Sequence, residues 1–153
     1  MKKLMKKLKL IGERNVGDRI AGMMKRVVLD TNIIVSTLWS GDGKPSDVFN
    51  LFLTDKIQLY YSAEILEEYI GVLYRPKFRF SDKKIGRLIA IIRSKGVLVE
   101  VSPSVIDMID ESDRIFYDVA KEFKAMLITG NIKHYPKDEL VMTAAGFLSK
   151  SGV

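Results

Sequence analysis

The stretch that most limits what this chain can fold into is Arg26–Val35, RVVLDTNIIV. Val27, Val28 and Leu29 read as a short buried strand, and Asp-Thr-Asn then cuts in before the apolar residues resume. A buried carboxylate without partners is expensive, so a triplet set against such a run needs solvent or a built polar environment. Asp30 therefore stands out as a strand-end residue that wants partners.

The rest of the chain alternates in the same manner. Pro45–Leu53 carries apolar residues at helical spacing after a Gly-rich break, Ile57–Tyr61 is a second strand candidate, and Ala63–Tyr74 is an amphipathic helix with Ser62 as its N-cap. Asp82–Lys95 reads as a helix, Val97–Val101 as a strand and Asp113–Lys124 as a helix. Met126–Thr129 follows as a short buried strand, and Leu140–Ser149 as a terminal helix. Strands separated by helices predict a three-layer α/β/α sandwich with a mostly parallel central sheet.

At 153 residues this is one domain's worth of chain, and 47% hydrophobic with 29% charged residues is a globular balance. With no Cys there is neither a disulfide framework nor a thiolate metal site, which suits a cytoplasmic location. No run approaches the roughly 18 apolar residues of a membrane span. The opening lysines lack the apolar segment of a signal peptide, so neither a membrane nor secretion is expected. The net charge of +6 is unevenly placed: residues 1–26 hold nine basic and two acidic side chains, leaving −1 for the remainder. The basic balance therefore belongs to an N-terminal extension, residues 1–24, ahead of a single domain at 25–153. Met23 and Met24 allow that extension to be upstream read-through; a basic arm or docking helix is the other reading. Its lysine run at 2–9 reads first as solvated and second as RNA-binding.

In open parallel sheets, sites form at the carboxyl ends of strands. Asp30 lies at such an end, as do Thr129 and Asn131 after the strand at 126–129. Asp110, Glu111 and Asp113 open the helix from 113, and the helix at 63–74 supplies Glu64, Glu67 and Glu68. At 100° per residue, Glu68 sits roughly 120° from that helix's apolar centre, against about 140° for Glu67 and 160° for Glu64. Glu68 is thus the best placed of the three to lean over the sheet edge. Oxygen ligands converging on one edge, with no Cys and one His, suit a hard cation such as Mg2+ or Mn2+. Such an ion activates water and neutralises charge on a phosphodiester.

These segments resemble a known family. VVLDTNIIVSTL resembles the opening strand and helix of PIN-domain nucleases. SAEILEEY followed by VLYRPKF resembles the second acidic helix of the branch of that family associated with toxin–antitoxin pairs. DRIFYDVA and AMLITGNIKHYP resemble that branch's third acidic helix, fourth strand and following turn. The ordered set spans most of residues 25–136. The resemblance implies a metal-dependent ribonuclease with Asp30, Glu68 and Asp113 as its acids and metal ligands, and Thr129 and Asn32 in support. It further implies an RNA substrate, an antitoxin partner and homodimerisation.

One position departs from the pattern. Where many PIN nucleases place a fourth Asp, the turn GNIKHYP offers Asn131 and His134. An amide binds Mg2+ without neutralising it, so affinity should fall unless Asp110, Glu111 or Asp118 compensates. Several of these residues have plainer readings. Asp30 can be a helix cap, Glu68 a solvated glutamate, Asp113 a helix-dipole residue, and Thr129 with Asn131 a turn. Asp118 is expected to be solvated, His134 to be a surface residue, and Trp39 a core or lid aromatic. Arg75, Lys77, Lys133 and His134 are candidate RNA contacts, although Pro76 also makes the first two part of a helix stop. Two rival functions remain at this point. One is a PIN-like module that binds RNA or protein without cutting. The other is a phosphatase using Asp30 as nucleophile, which the Asn at 32, in place of a second Asp, disfavours.

Overall fold

The computed structural model describes residues 24–151; the basic extension lies outside the described residues except for Met24. Five strands form one sheet: β1 (Lys25–Leu29), β2 (Ile57–Tyr61), β3 (Val97–Leu98), β4 (Met126–Ile128) and β5 (Val141–Met142). Their spatial order is β3-β2-β1-β4-β5, and every neighbouring pair is parallel. Among the described residues six helices accompany the sheet: α1 (Thr31–Trp39), α2 (Lys44–Leu53), α3 (Ala63–Leu73), α4 (Asp82–Lys95), α5 (Arg114–Phe123) and α6 (Ala144–Ser151).

The central strand shows why this is a three-layer sandwich. Val27 and Val28 point to opposite faces of the sheet, and both are fully buried, as is Leu29. Both faces are therefore covered, as parallel sheets require. No helix among the described residues is long and apolar enough to cross a membrane.

Local chemistry sets the helix starts. Asp30 caps α1 through Thr31 N–H, Ser62 Oγ accepts from Ile65 N–H at 3.2 Å to start α3, and Ser81 Oγ accepts from Lys84 N–H at 3.1 Å to start α4.

Four sequence expectations need correction. The strand expected at 97–101 pairs with β2 only over Val97–Leu98, with one further bond from Val99 N–H to Tyr61 O. Beyond that bond the chain carries no regular structure as far as residue 108. The terminal helix expected from Leu140 begins at Ala144, because Leu140 O and Met142 O accept from Leu127 and Thr129 N–H and commit this segment to β5. Thr143 Oγ1, accepting from Gly146 N–H at 2.9 Å, is the actual cap. Asp113 stands just ahead of α5, at the end of a 3-10 turn over Glu111–Asp113, rather than inside the helix. Of the two places expected for Trp39, the core is ruled out: it is 63% exposed at the end of α1.

Candidate active site

Asp30 follows β1 directly, and its N–H donates to Ile128 O at 3.0 Å, so β4 brings the next residue, Thr129, alongside it. The Asp30 carboxylate is buried and densely bonded. Oδ1 accepts from Thr31 N–H at 2.7 Å, and Oδ2 accepts from the Thr129 hydroxyl at 2.8 Å and the Tyr135 hydroxyl at 2.9 Å. Thr129 is itself held: its Oγ1 accepts from Asn131 N–H at 3.0 Å and from Asn32 Nδ2 at 3.4 Å. Asn32 Oδ1 accepts from Gly130 N–H at 2.9 Å. A Cβ at Gly130 would sit 3.3 Å from that oxygen, so a larger residue there would require the Asn32 amide to shift by a few tenths of an ångström. The Asp-Thr-Asn interruption is thus the hub of a polar network that fastens α1 to the turn after β4.

Asp113 has the opposite surroundings. It makes no capping bond to α5, and its Oδ2 is buried without a hydrogen-bond partner. Burial, the neighbouring Asp30 and Asp110, and Glu68 push its carboxyl up to about 6, with His134 opposing. His134 Nδ1 lies 3.8 Å from Asp113 Oδ2. Asp110, Asp113 and His134 each bring one ligating atom within 4.8 Å of the others. Asp30 and Glu68 lie outside that tight group but close enough to act on Asp113.

The placement of α3 explains why Glu68 is near. Tyr69 is fully buried; its hydroxyl donates to Leu29 O at 2.5 Å, and its ring packs 6.3 Å from Phe116 of α5. Burial and then Asp30 hold the Tyr69 phenol well above its usual pKa, so it stays a donor. Glu68 precedes this anchor and is half-buried, whereas Glu64 and Glu67 are exposed.

The other candidates are dispersed. Glu111 is engaged by Arg114 through both Nε and Nη2. Asp118 is 6% exposed, not solvated as expected; its Oδ2 accepts from Ser104 N–H at 2.9 Å, because the segment after β3 folds across α5. It fastens that segment and stands apart from the Asp113 group. His134, expected to be a surface residue, is exposed yet directed toward Asp113. Arg75, Lys77, Lys133 and Asn131 are exposed.

Sequence reasoning missed two residues, Tyr135 and Tyr69. Tyr135 was visible only as an aromatic in the turn HYP, while its partner Asp30 lies 105 positions away. Burial, followed by Asp30, Asp113 and the bond to Asp30, raises its phenol so far that it remains a donor throughout the working pH range.

The donor set fits a hard divalent cation. The side chains offer carboxylates and one imidazole, and the unpartnered Asp113 oxygen is crowded by like charges that a cation would relieve. Among the described residues, Asp110, Asp113 and His134 bring ligating atoms close enough together to share one.

Comparison with known proteins places the fold in a family. Residues 26–133 match the PIN domain. The chain is also similar to the uncharacterized protein MJ1680 of Methanocaldococcus jannaschii, 32% identical over 109 residues, covering 69% of this chain and 70% of that protein. A PIN domain implies a nuclease-type function, and Asp110, Asp113 and His134 form a possible acidic metal-binding cluster. The chain belongs to the PIN-domain family, whose members are generally metal-dependent nucleases.

Proposed function

We propose that the protein is an endoribonuclease that hydrolyses RNA phosphodiester bonds with Mg2+ or Mn2+ held by Asp30, Glu68 and Asp113. The observation that carries this reading is the buried, unpartnered Asp113 oxygen set among Asp30, Glu68 and Asp110. When bound, the ion supplies an activated water and neutralises charge on the scissile phosphate. The chain supplies positioning. Thr129 and Tyr135 hold Asp30 Oδ2 in place through their hydroxyl hydrogen bonds. Asn32 and the Asn131 N–H fix Thr129 in turn. Water, not a side chain, would attack phosphorus while the P–O3′ bond breaks and the 3′ oxygen takes a proton, giving the 5′-phosphate and 3′-hydroxyl ends that the family resemblance implies. The Asp30 oxygens accept three hydrogen bonds, which speaks against Asp30 as the nucleophile of a phosphatase.

The same reading includes a toxin role in the cytoplasm, with an antitoxin protein that covers the acidic edge, and self-association into a homodimer. It rests on the segments shared with the toxin branch of the family. Its test is cleavage of generic single-stranded RNA under Mg2+ and Mn2+ titration, with Asp30→Asn in parallel. Metal-dependent cutting that disappears in Asp30→Asn is expected. Equal inertness of both proteins at every metal concentration favours the non-cutting binding module, to which the exposed Asn131 in place of a fourth acid already lends weight.

A further inference from the structure

Away from the acidic edge, three aromatic rings form a cluster that the proposed chemistry does not use. Phe78 and Phe80 stack with centroids 5.6 Å apart and planes at 13°. Trp39 stands edge-on to both, at 6.1 Å and 6.0 Å. The two phenylalanines are half-buried, whereas the indole is 63% exposed. Lys77 Nζ lies 5.1 Å from the Phe78 centroid and Lys84 Nζ 5.8 Å from that of Phe80. A large aromatic side chain left open to water beside two fixed rings is what a binding surface looks like.

Charge says what the surface takes. Residues 75–87, RPKFRFSDKKIGR, hold six Lys and Arg against Asp82 alone, a balance of +5. Residues 27–153 as a whole carry −1, so this segment's +5 stands against −6 over the rest of that stretch. All six cations are exposed, and none makes an ion pair with another described residue. Exposed aromatics interleaved with cations bind single-stranded nucleic acid: bases stack on the rings and phosphates meet the lysines. A second copy of this chain is a poor occupant, because a two-fold contact would set the six cations against the same six.

We infer that Trp39, Phe78 and Phe80, with Lys77 and Lys84, form a stacking platform for single-stranded RNA, distinct from the acidic edge; this rests on the reading of the protein as an RNA-acting enzyme. Trp39 lies nine residues beyond Asp30 on α1, about 13 Å along the helix axis at 1.5 Å per residue. That is about four stacked nucleotides at roughly 3.4 Å each, so one strand can occupy the platform and the acidic edge together.

Trp39 is the chain's single tryptophan and reports its own contacts by fluorescence, whatever the lysine-rich extension binds. The experiment titrates the full chain in EDTA with an oligouridylate of about a dozen nucleotides. Expected is saturable quenching whose affinity falls steeply with salt, weakening about tenfold in Phe78→Ala and again in Lys77→Gln/Lys84→Gln. The lysine pair is exposed and keeps the test independent of any folding defect in Phe78→Ala. No quenching by an oligonucleotide that the same protein cuts under Mn2+ overturns the platform and leaves the nuclease standing. Quenching without cutting under Mn2+ supports the platform and favours the non-cutting binding module over the nuclease. A protein-concentration-dependent change in Trp39 emission without RNA, matched by dimer mass, assigns the face to protein contact and overturns it too.

Discussion

Asp30 and Asp113 carry the same carboxylate at one sheet edge, but the fold treats them differently. Asp30 is locked by a backbone N–H and two hydroxyls reaching it from the turn after β4. Asp113 has a buried oxygen that no protein donor reaches, and burial, followed by the neighbouring Asp30 and Asp110, pushes its pKa up to about 6. Asp30 is thus positioned by the protein alone. Asp113 is held in a strained electrostatic state that a proton or a cation relieves. A rigid anchor beside a charge that needs a counter-ion is how a metal site can be preorganised without being neutralised.

The largest effect should come from breaking the anchor's charge. Asp30→Asn keeps the cap's shape and should lower the initial rate of RNA cleavage on the order of 10³-fold, with an unchanged circular dichroism spectrum. Next comes its support. Tyr135→Phe deletes one hydroxyl donor to Asp30, and the loss of metal affinity should be about 10–100-fold by calorimetric titration. The same variant should lose about 2 kcal/mol in urea unfolding, the usual worth of a hydrogen bond to a charged group.

Asp113 should respond in the opposite sense. Its folded pKa lies above the unfolded value, so without metal the group stabilises the fold below about pH 4 and that contribution is lost as pH rises to about 6. In EDTA, thermal midpoints should therefore show this decline for the wild type and lose it in Asp113→Asn, which should also melt higher at neutral pH. A wild type and Asp113→Asn with parallel pH curves would refute the crowding of Asp113. The smallest effect belongs to His134→Ala. At 3.8 Å and more than half exposed, that pair should change stability by no more than about 0.5 kcal/mol, read from the same melts.

What could be read from sequence was local. The β1 run, the Ser62 cap, the helices at 63–73 and 82–95, and Asp30 as a polar strand end all depend on residues within a few positions of one another. Glu68 was separable from Glu64 and Glu67 by helical angle alone, and it is the half-buried one. The misreadings were non-local. Asp118 looked solvated because its partner, Ser104 N–H, belongs to a segment with no periodicity of its own. Val141–Met142 is too short to announce a strand and becomes one only beside β4. The hydroxyl of Tyr135 serves an aspartate at the other end of the chain, which no spacing rule reveals. Averaging the net charge over the domain also hid the cationic segment at 75–87, since acids elsewhere cancel it.

The most direct measurement is Mn2+ binding to EDTA-stripped protein at neutral pH, followed by electron paramagnetic resonance in the wild type, Asp113→Asn and Asp118→Asn. The account predicts that binding is lost in Asp113→Asn and kept in Asp118→Asn, whose carboxylate fastens a loop. Wild-type binding that persists undiminished in Asp113→Asn would contradict it.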